Sequence, residues 1–131
     1  ANQGCPKKDK QLVVITKEKL VILQKVFFAT GKSAVLPKSW PLLSQVAAVL
    51  NDHPELARVR VEGHTDDRGN HDRNVALSQE RADAVKQFLV GKGVDAQRLV
   101  AKGFGPDQPA DTNANEKGRE NNRRVEFVVE P

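Results

Sequence analysis

The sequence has few of the residues that brace small secreted domains or build membrane spans. Its 131 residues include one cysteine, no tyrosine and no methionine. The single cysteine, Cys5, cannot form an internal disulfide, so the core does not depend on oxidation. No apolar run approaches the roughly 20 residues that a membrane-spanning helix requires. A signal peptide is also lacking, so we expect an exported protein of this sequence to be a processed chain or a domain of a longer one.

Positive charge and aromatic side chains are present, but they do not follow the pattern of a nucleic-acid interface. The formal net charge is +4 and the isoelectric point is about 9.4, which favours contact with anionic polymers. The basic residues are scattered, and the five phenylalanines and one tryptophan are not interleaved with them as stacking platforms would require. Nucleic-acid binding is therefore not favoured. The length fits one domain, which we assign to residues 11–131 after a flexible leader at 1–10.

Hydrophobic periodicity predicts strands and helices that alternate along the chain. Runs of β-branched and aromatic residues predict an N-terminal hairpin that leads into a central strand. Apolar residues at helical spacing predict two long helices, and Ser78 is the predicted N-cap of the second. The predicted elements are strands 11–16, 20–28, 57–63, 99–104 and 125–129, helices 37–52 and 78–90, and a polar helical turn at 116–122. This order predicts an α+β fold of the βαβαβ type, with two long helices packed on one face of a mixed sheet after an N-terminal β-hairpin.

Arg81 lies on the side of the second predicted helix that should be apolar. At about 100° per residue it falls inside the apolar arc, between Val85 and Phe88. An unpaired guanidinium there would be costly, so we expect an anionic partner. Asp66, which follows a predicted strand, fits this role best, and Glu62 is the alternative. Position alone favours a structural ion pair, but the planar fork of arginine also suits a carboxylate from a ligand.

Several short motifs narrow the interpretation. The motif residues are Gly63-His64-Thr65-Asp66, Gly69, Asn74, Leu77-Ser78, Arg81-Ala82, Gly103-Phe104-Gly105, Pro109, Asn113, Gly118-Arg119 and Asn122-Arg123-Arg124-Val125-Glu126. Their order and spacing resemble the OmpA-like peptidoglycan-binding domain family, which includes domains of outer-membrane protein A, the Pal lipoprotein and the MotB stator protein. The resemblance runs from about residue 26 to residue 129. It implies a non-catalytic periplasmic domain of an outer-membrane-associated protein that binds peptidoglycan, with no cofactor and no metal.

The resemblance also implies a ligand and the residues that hold it. In this family the aspartate of the Gly-His-Thr-Asp motif and the arginine of the Arg-Ala pair bind diaminopimelate, which implies Asp66 and Arg81 here. The end of the diaminopimelate side chain carries an ammonium and a carboxylate on one carbon, so an acceptor and a forked donor can each take one charge. By the same resemblance Phe28 lies beside the pocket, and Thr65 and Asn74 are further ligand contacts.

The chain departs from the family pattern at two positions. Many relatives carry an acid where this sequence has Ala29, and tyrosine is common where it has Phe104. Both departures bear on the ligand contacts made by the first loop, and neither changes the expectation for Asp66 and Arg81. The sequence leaves a homodimer open, and contact with a membrane is expected only through an anchor or barrel upstream.

Two other functions stay open. Gly69-Asn70-His71-Asp72 copies a signature of binuclear metallophosphoesterases, so a metal-dependent phosphohydrolase is one alternative. That chemistry needs about two clusters of histidine and aspartate, whereas the chain has only three histidines. The other alternative is a protein-interaction domain of the envelope that keeps this fold and has lost wall binding.

Overall fold

The structure is a computed structural model that describes residues 11–16, 19–22, 25–29 and 31–130. The leader predicted at residues 1–10 lies outside these ranges. Within them, the strands are β1 (Val13–Ile15), β2 (Lys19–Ile22), β3 (Val59–His64), β4 (Leu99–Gly105) and β5 (Arg124–Val129). The helices are α1 (Trp40–Asp52), α2 (His71–Gly91) and α3 (Glu116–Asn122). None of these described helices is both long and apolar enough to cross a membrane.

The strands form one mixed sheet in the order β1-β2-β5-β3-β4. β1 and β2 are the predicted hairpin, because they pair antiparallel with Val14 opposite Val21. β3 and β4 run parallel and are connected through α2, whereas β5 pairs antiparallel with β3. The predicted α+β architecture, a mixed sheet with helices between its strands, is confirmed.

α1 and α2 provide the apolar faces that pack with this sheet. The side chains that point from β3 and β5 into the core are Val59, Val61 and Phe127, all completely buried. Burial of a valine or leucine side chain contributes roughly 1.5–3 kcal/mol, so the shared core is the main source of stability. The helical residues of the core include Leu42, Leu43, Val46, Ala47 and Leu50 of α1 and Ala82, Val85 and Leu89 of α2.

α2 begins seven residues earlier than predicted. Its N-cap is Asn70, whose side-chain oxygen accepts a hydrogen bond of 3.0 Å from the backbone N–H of Arg73. The first turns of α2 are mostly polar, so they carry no apolar stripe from which a helix could be recognised. The predicted C-terminal end is correct to within one residue, because α2 ends at Gly91 and Gly93 follows with a φ of +97°.

Ser78 therefore lies inside α2, and its predicted role as N-cap is wrong. Its side chain is completely buried, donates to the carbonyl of Val75 at 2.8 Å and accepts from the N–H of Gly105 at 2.9 Å. The hydroxyl thus connects the second turn of α2 with the end of β4. A small polar residue at this position lets the helix approach the strand closely.

The second predicted strand is shorter than the apolar run that suggested it. β2 ends at Ile22, and Phe28 makes only an isolated bridge with Val35. β2 is also not central: it lies between β1 and β5, and β5 occupies the middle of the sheet. The run around Val26 and Phe28 is apolar because these side chains pack on the core from a loop.

Candidate functional site

The candidate site lies where β3 and β4 end. Parallel strands have their carboxyl ends at the same edge of the sheet, so the residues after β3 lie beside the end of β4. The pairing shifts register between Gly63 and His64, and the N–H of Thr65 then donates to the carbonyl of Gly105 at 2.9 Å. The hydroxyl of Thr65 donates to the carbonyl of Asp66 at 2.8 Å. These bonds fix the direction of the chain at Asp66.

Asp66 is a buried carboxylate with two partners from the protein. Its Oδ1 accepts from the backbone N–H of Arg68 at 3.0 Å, and its Oδ2 accepts from Arg123 Nη1 at 2.6 Å. The same guanidinium donates from Nη2 to Glu116 at 2.6 Å. The pKa of Arg123 is raised, chiefly by its bond to Glu116 and further by Asp66. Arg123 therefore bridges β3 and α3 through two carboxylates.

Arg81 has partners of a different kind. Its Nε donates to the carbonyl of Lys32 at 2.8 Å, and its Nη2 donates to the carbonyl of Ala29 at 3.4 Å. The guanidinium carbon lies 4.7 Å from the centre of the Phe28 ring, within cation–π distance. Burial lowers the pKa of Arg81, and the nearby Arg123 lowers it further, but a guanidinium stays charged at neutral pH.

The structural ion pair that position alone favoured for Arg81, with Asp66 or Glu62, is not formed. Asp66 pairs with Arg123 instead, and Glu62 pairs with Arg60 at 2.6 Å and with His64 at 3.2 Å. The described residues give Arg81 two carbonyls and an aromatic ring, but no carboxylate. The positive charge of Arg81 is therefore not neutralised by any described acid.

One cavity of about 700 Å³ contains every residue that the sequence predicted for the site. This volume lies within the usual range for small-molecule sites, roughly 300–1,000 Å³. The predicted residues that line it are Phe28, Thr65, Asp66, Asn74 and Arg81. The remaining lining includes the cations Lys25 and Arg123 and the acids Glu116 and Glu120. The cavity thus presents both signs of charge to any molecule that enters it.

Asn74 and Phe28 each also support the cavity wall. The side-chain amide of Asn74 donates to the carbonyl of Arg68 at 2.7 Å, which ties the loop after Asp66 to the first turns of α2. Phe28 lies under the guanidinium of Arg81 and also packs on the core. Both residues therefore position the two charged groups, in addition to any contact with a ligand.

Glu116 and Arg123 are cavity residues that the sequence did not assign to the diaminopimelate site, although Arg123 stands in one of the motifs. The pairing with Glu116 spans seven positions and joins the two ends of α3. The pairing with Asp66 spans 57 positions, and because local patterns contain no signal for a contact at such separation, it could be found only from coordinates.

The segment that suggested a metallophosphoesterase is the start of α2. Asn70 caps the helix, and His71 binds Asp107 at 2.7 Å and Asp72 at 3.2 Å through its two ring nitrogens. Across the described ranges, no group of three or more histidine, cysteine, aspartate or glutamate side chains could hold a metal ion. The Asn-His-Asp segment is explained by helix capping, and the phosphohydrolase alternative is not favoured.

Together, the fold and the site define an α+β domain with a charged, ligand-sized cavity at the carboxyl end of the parallel strands β3 and β4. The chain belongs to the OmpA family, whose family model matches residues 27–123. This result confirms the resemblance that the motifs indicated.

Three relatives illustrate the match. The chain is 42% identical over 106 residues to the probable lipoprotein YiaD of Escherichia coli (strain K12), which covers 81% of this chain and 48% of that protein. It is 39% identical over 107 residues to the peptidoglycan-associated lipoprotein of Legionella pneumophila, covering 82% of this chain and 60% of that protein. Among solved structures, the cell wall anchor of the T6SS from Pseudomonas aeruginosa matches with a TM-score of 0.75 and 33% identity, covering 89% of this chain and 85% of that chain.

The chain spans about half of YiaD and 60% of the Legionella protein. These relatives are lipoproteins and a cell wall anchor of the bacterial envelope, which confirms the expected periplasmic location in an outer-membrane-associated setting. The names of these relatives describe two lipoproteins and a cell wall anchor, which is consistent with a non-catalytic role.

Proposed function

We propose that this domain binds peptidoglycan non-covalently through the diaminopimelate side chain of the stem peptide and so anchors an envelope protein to the cell wall. The observation that carries the proposal is the guanidinium of Arg81, which lines the cavity together with Asp66 and has no carboxylate partner among the described residues. A ligand with a carboxylate would supply that partner. The printed name of the Legionella relative, peptidoglycan-associated lipoprotein, supports the choice of polymer.

Asp66 keeps the capacity to bind an ammonium although it already pairs with Arg123. An ionised carboxylate offers about four lone-pair positions, and the described partners of Asp66 occupy two of them. An ammonium on the cavity side can therefore add to the existing bonds. Arg123 and Arg68 meanwhile hold the carboxylate in a fixed orientation, which lowers the entropy lost when the ligand binds.

Arg81 is the natural partner for the carboxylate on the same carbon. Its fork is already oriented by the carbonyls of Ala29 and Lys32 and by the Phe28 ring. A carboxylate facing the free side of the guanidinium would form charge-assisted hydrogen bonds in a partly buried place, where such bonds are stronger than in water.

The arrangement predicts a choice between two kinds of cell wall. Lysine in place of diaminopimelate keeps the ammonium and lacks the carboxylate, so Arg81 would stay unpaired. Leaving one member of a buried charge pair unpaired costs about 2–5 kcal/mol. We therefore expect the domain to prefer diaminopimelate-type peptidoglycan strongly over the lysine type.

The proposal is tested with the native chain and two site variants. We expect the chain to bind free meso-diaminopimelate in calorimetry and to sediment with diaminopimelate-type sacculi. Asp66→Asn and Arg81→Ala should each abolish both kinds of binding, because each removes the partner of one ligand charge. Absence of heat together with absence of sedimentation for the native chain would refute the proposal and favour an interaction domain that has lost wall binding.

Matched variants distinguish the loss of a specific contact in the cavity from a general effect of changing the charge of the protein. Asp67→Asn changes the neighbouring exposed acid, and Arg73→Ala changes an exposed arginine on the same helix; neither residue lines the cavity. Both should bind like the native chain. Melting curves must accompany Arg81→Ala, since two carbonyls lose their donor, and Arg81→Lys should bind weakly because it keeps the charge and loses the fork. Full binding by Arg81→Lys would show that the fork is not needed.

A further inference from the structure

An exposed aromatic and basic surface adjoins the cavity. The side chains of Trp40 and Phe27 are 49% and 40% exposed. The ring of Trp40 lies 6.5 Å from that of Phe88, centre to centre. The ammonium of Lys38 lies 4.1 Å from the centre of the Phe27 ring, and that of Lys92 lies 5.6 Å from the centre of the Phe88 ring. We call these five residues the aromatic–lysine surface.

Two structural connections join this surface to the cavity. Phe27 itself lines the cavity, and its N–H donates to the hydroxyl of Ser39 at 2.7 Å, which fixes the segment before Trp40 beside it. On α2, Phe88 follows Arg81 by seven residues, about two turns or roughly 10 Å along the same side of the helix. The surface therefore starts at the cavity and extends away from Arg81 along α2.

The aromatic–lysine surface carries positive charge that could pair with an anionic ligand. The described part of the chain gives Lys38 a contact with the Phe27 ring and no carboxylate partner, and the same holds for Lys92 on the Phe88 ring. A ligand suited to this surface offers a carboxylate for a lysine and a flat, partly apolar face for an aromatic ring. A muropeptide has both features in one molecule.

We propose that the aromatic–lysine surface binds the part of the muropeptide between diaminopimelate and the glycan strand. The inference rests on the proposed function of the cavity. In the stem peptide, a D-glutamyl residue joined through its side-chain carboxyl precedes diaminopimelate and keeps a free α-carboxylate, and the muramyl sugar lies two residues further on. Lys38 takes the α-carboxylate, and the exposed face of Trp40 stacks on the sugar. The surface thereby adds affinity for the polymer that the free amino acid does not have.

Trp40 provides the first test, because it is the only tryptophan in the chain. The native chain is titrated with free diaminopimelate and with the disaccharide-tripeptide muropeptide. The muropeptide should shift the emission to shorter wavelength and protect Trp40 from iodide quenching. Free diaminopimelate should bind in calorimetry and leave the emission unchanged. Identical emission changes with the two ligands, or none with either, overturn the inference.

Affinities of surface variants provide the second test. Trp40→Ala should weaken muropeptide binding by about three- to tenfold, as expected for loss of one aromatic contact, with no change for free diaminopimelate. Ile15→Ala is the matched control, because Ile15 is a 41% exposed apolar residue on β1 that does not line the cavity. It should leave both affinities unchanged. A Trp40→Ala variant that loses affinity equally for both ligands acts on the cavity through the fold and contradicts the inference.

The carboxylate contact is tested with a chemically altered ligand. The native chain should bind a muropeptide whose D-glutamyl α-carboxylate is amidated several-fold more weakly than the unmodified form. Lys38→Gln should bind the two forms equally. If Lys38→Gln keeps the preference of the native chain, Lys38 is not the residue that reads this carboxylate and the assignment is wrong.

The outcomes separate this inference from the proposed function. If the native chain does not bind free diaminopimelate, the proposed function fails first. If it binds diaminopimelate and muropeptide with equal affinity, only the role of the aromatic–lysine surface is refuted. If vesicles of anionic lipid change Trp40 emission and the muropeptide does not, the surface contacts a membrane and the inference is overturned.

Discussion

His64, the second residue of the Gly-His-Thr-Asp motif, is a buried titratable group close to the site. Its ring stacks on Phe104 at 5.3 Å, and its Nε2 lies 3.2 Å from Glu62. Its Nδ1 has no hydrogen-bond partner among the described residues. Burial lowers the pKa of His64 and the charge of Arg124 lowers it further, against a smaller opposing effect of Glu62. The folded protein therefore holds His64 as a neutral ring.

This burial predicts that the domain is less stable in acid. The unfolded chain binds a proton at His64 near pH 6.5, whereas the folded chain binds it only at lower pH. The contribution of His64 to the free energy of unfolding is therefore fully present above the pKa that His64 has in the unfolded chain. It is lost as the pH falls towards the lower pKa that His64 has in the folded chain. We expect melting temperatures measured between about pH 5 and pH 7.5 to rise with pH, with a shallower rise in His64→Gln.

A second histidine, His71, changes stability with pH in the opposite direction, so its contribution must be removed before the effect of His64 is measured. Hydrogen bonds that His71 donates to the carboxylates of Asp107 and then Asp72 raise the pKa of His71, so its contribution to stability is present at low pH and is lost as the pH rises through its folded pKa. The experiment is therefore run in a His71→Gln background. An equal pH slope with and without His64 in that background would contradict the role assigned to His64.

At the scale of single residues, the family resemblance named more of the cavity residues than the helical wheel and the other physical patterns could. Asp66, Arg81 and Thr65 do line one cavity. The helical wheel located Arg81 correctly as an anomaly on an apolar face, but it could not tell that carbonyls and a ring would hold it. The pairing of Asp66 with Arg123 was also missed, because it depends on how β5 and α3 meet the end of β3.

At the scale of elements, α2 packs on β3 and β4 more closely than side chains would normally allow. A Cβ added to Gly63 would lie 2.3 Å from the carbonyl oxygen of Ser78. A Cβ added to Gly103 would lie 2.2 Å from the backbone nitrogen of Gln79. In addition, the side chain of Gln79 accepts from the N–H of Gly103 at 2.8 Å and donates to the carbonyl of Ala101 at 3.0 Å. The glycines therefore set the distance between helix and sheet.

This contact predicts a large effect of one methyl group. Gly63→Ala should lower the free energy of unfolding by at least about 1–3 kcal/mol, because backbone atoms must move apart. Gly91→Ala is the control, since a Cβ at that helical position has no atom within 4 Å and should leave stability equal or up to about 1 kcal/mol higher. Urea unfolding of both variants measures the difference. Equal midpoints for the two would mean that the close contact is relieved at no cost.

The helices and strands also differ in how accurately their bounds could be predicted from the sequence. α1 and β3 were predicted to within three residues at each end, because their apolar residues follow periods of 3.6 and 2. The start of α2 was missed because its first turns are polar and depend on the Asn70 cap. β2 was predicted too long because a buried loop has the same apolar composition as a strand.

At the scale of the whole molecule, the cavity is assembled from segments far apart in the chain. Phe28 comes from the segment after β2, Asp66 from the end of β3, Arg81 from α2 and Arg123 from the end of α3. Alternation of strands and helices predicted the mixed sheet. It could not predict that the last strand enters between β2 and β3, since that depends on long-range pairing and not on local pattern.

The topology predicts that the N-terminal hairpin supports stability but not binding. β1 and β2 lie on one side of β5, and among the described residues the lining of the cavity begins at Lys25, after both strands. The hairpin region does bury Leu12, Val13 and Leu20. Deletion of residues 1–22 should therefore lower the melting temperature markedly, at about 1.5–3 kcal/mol for each buried side chain lost. Diaminopimelate affinity, measured below the new melting temperature, should stay within about twofold.

A milder variant guards this test against unfolding. Leu20→Ala removes one fully buried side chain of β2 and should cost about 2–5 kcal/mol without touching the cavity. Circular dichroism establishes whether each protein is folded at the assay temperature. A folded variant that no longer binds diaminopimelate would show that the hairpin shapes the cavity, against the expectation.

The carbonyl groups that hold Arg81 have a consequence for sequence drift. Because Ala29 and Lys32 act through their main chains, exchange of either side chain leaves the acceptors in place. Gly31 is the exception in this turn, since its φ of +69° disfavours other residues. A saturation library should accordingly tolerate most replacements at positions 29 and 32, yet reject single-residue insertions between them. Natural selection would then conserve the length of this turn, while the amino acids at positions 29 and 32 could vary.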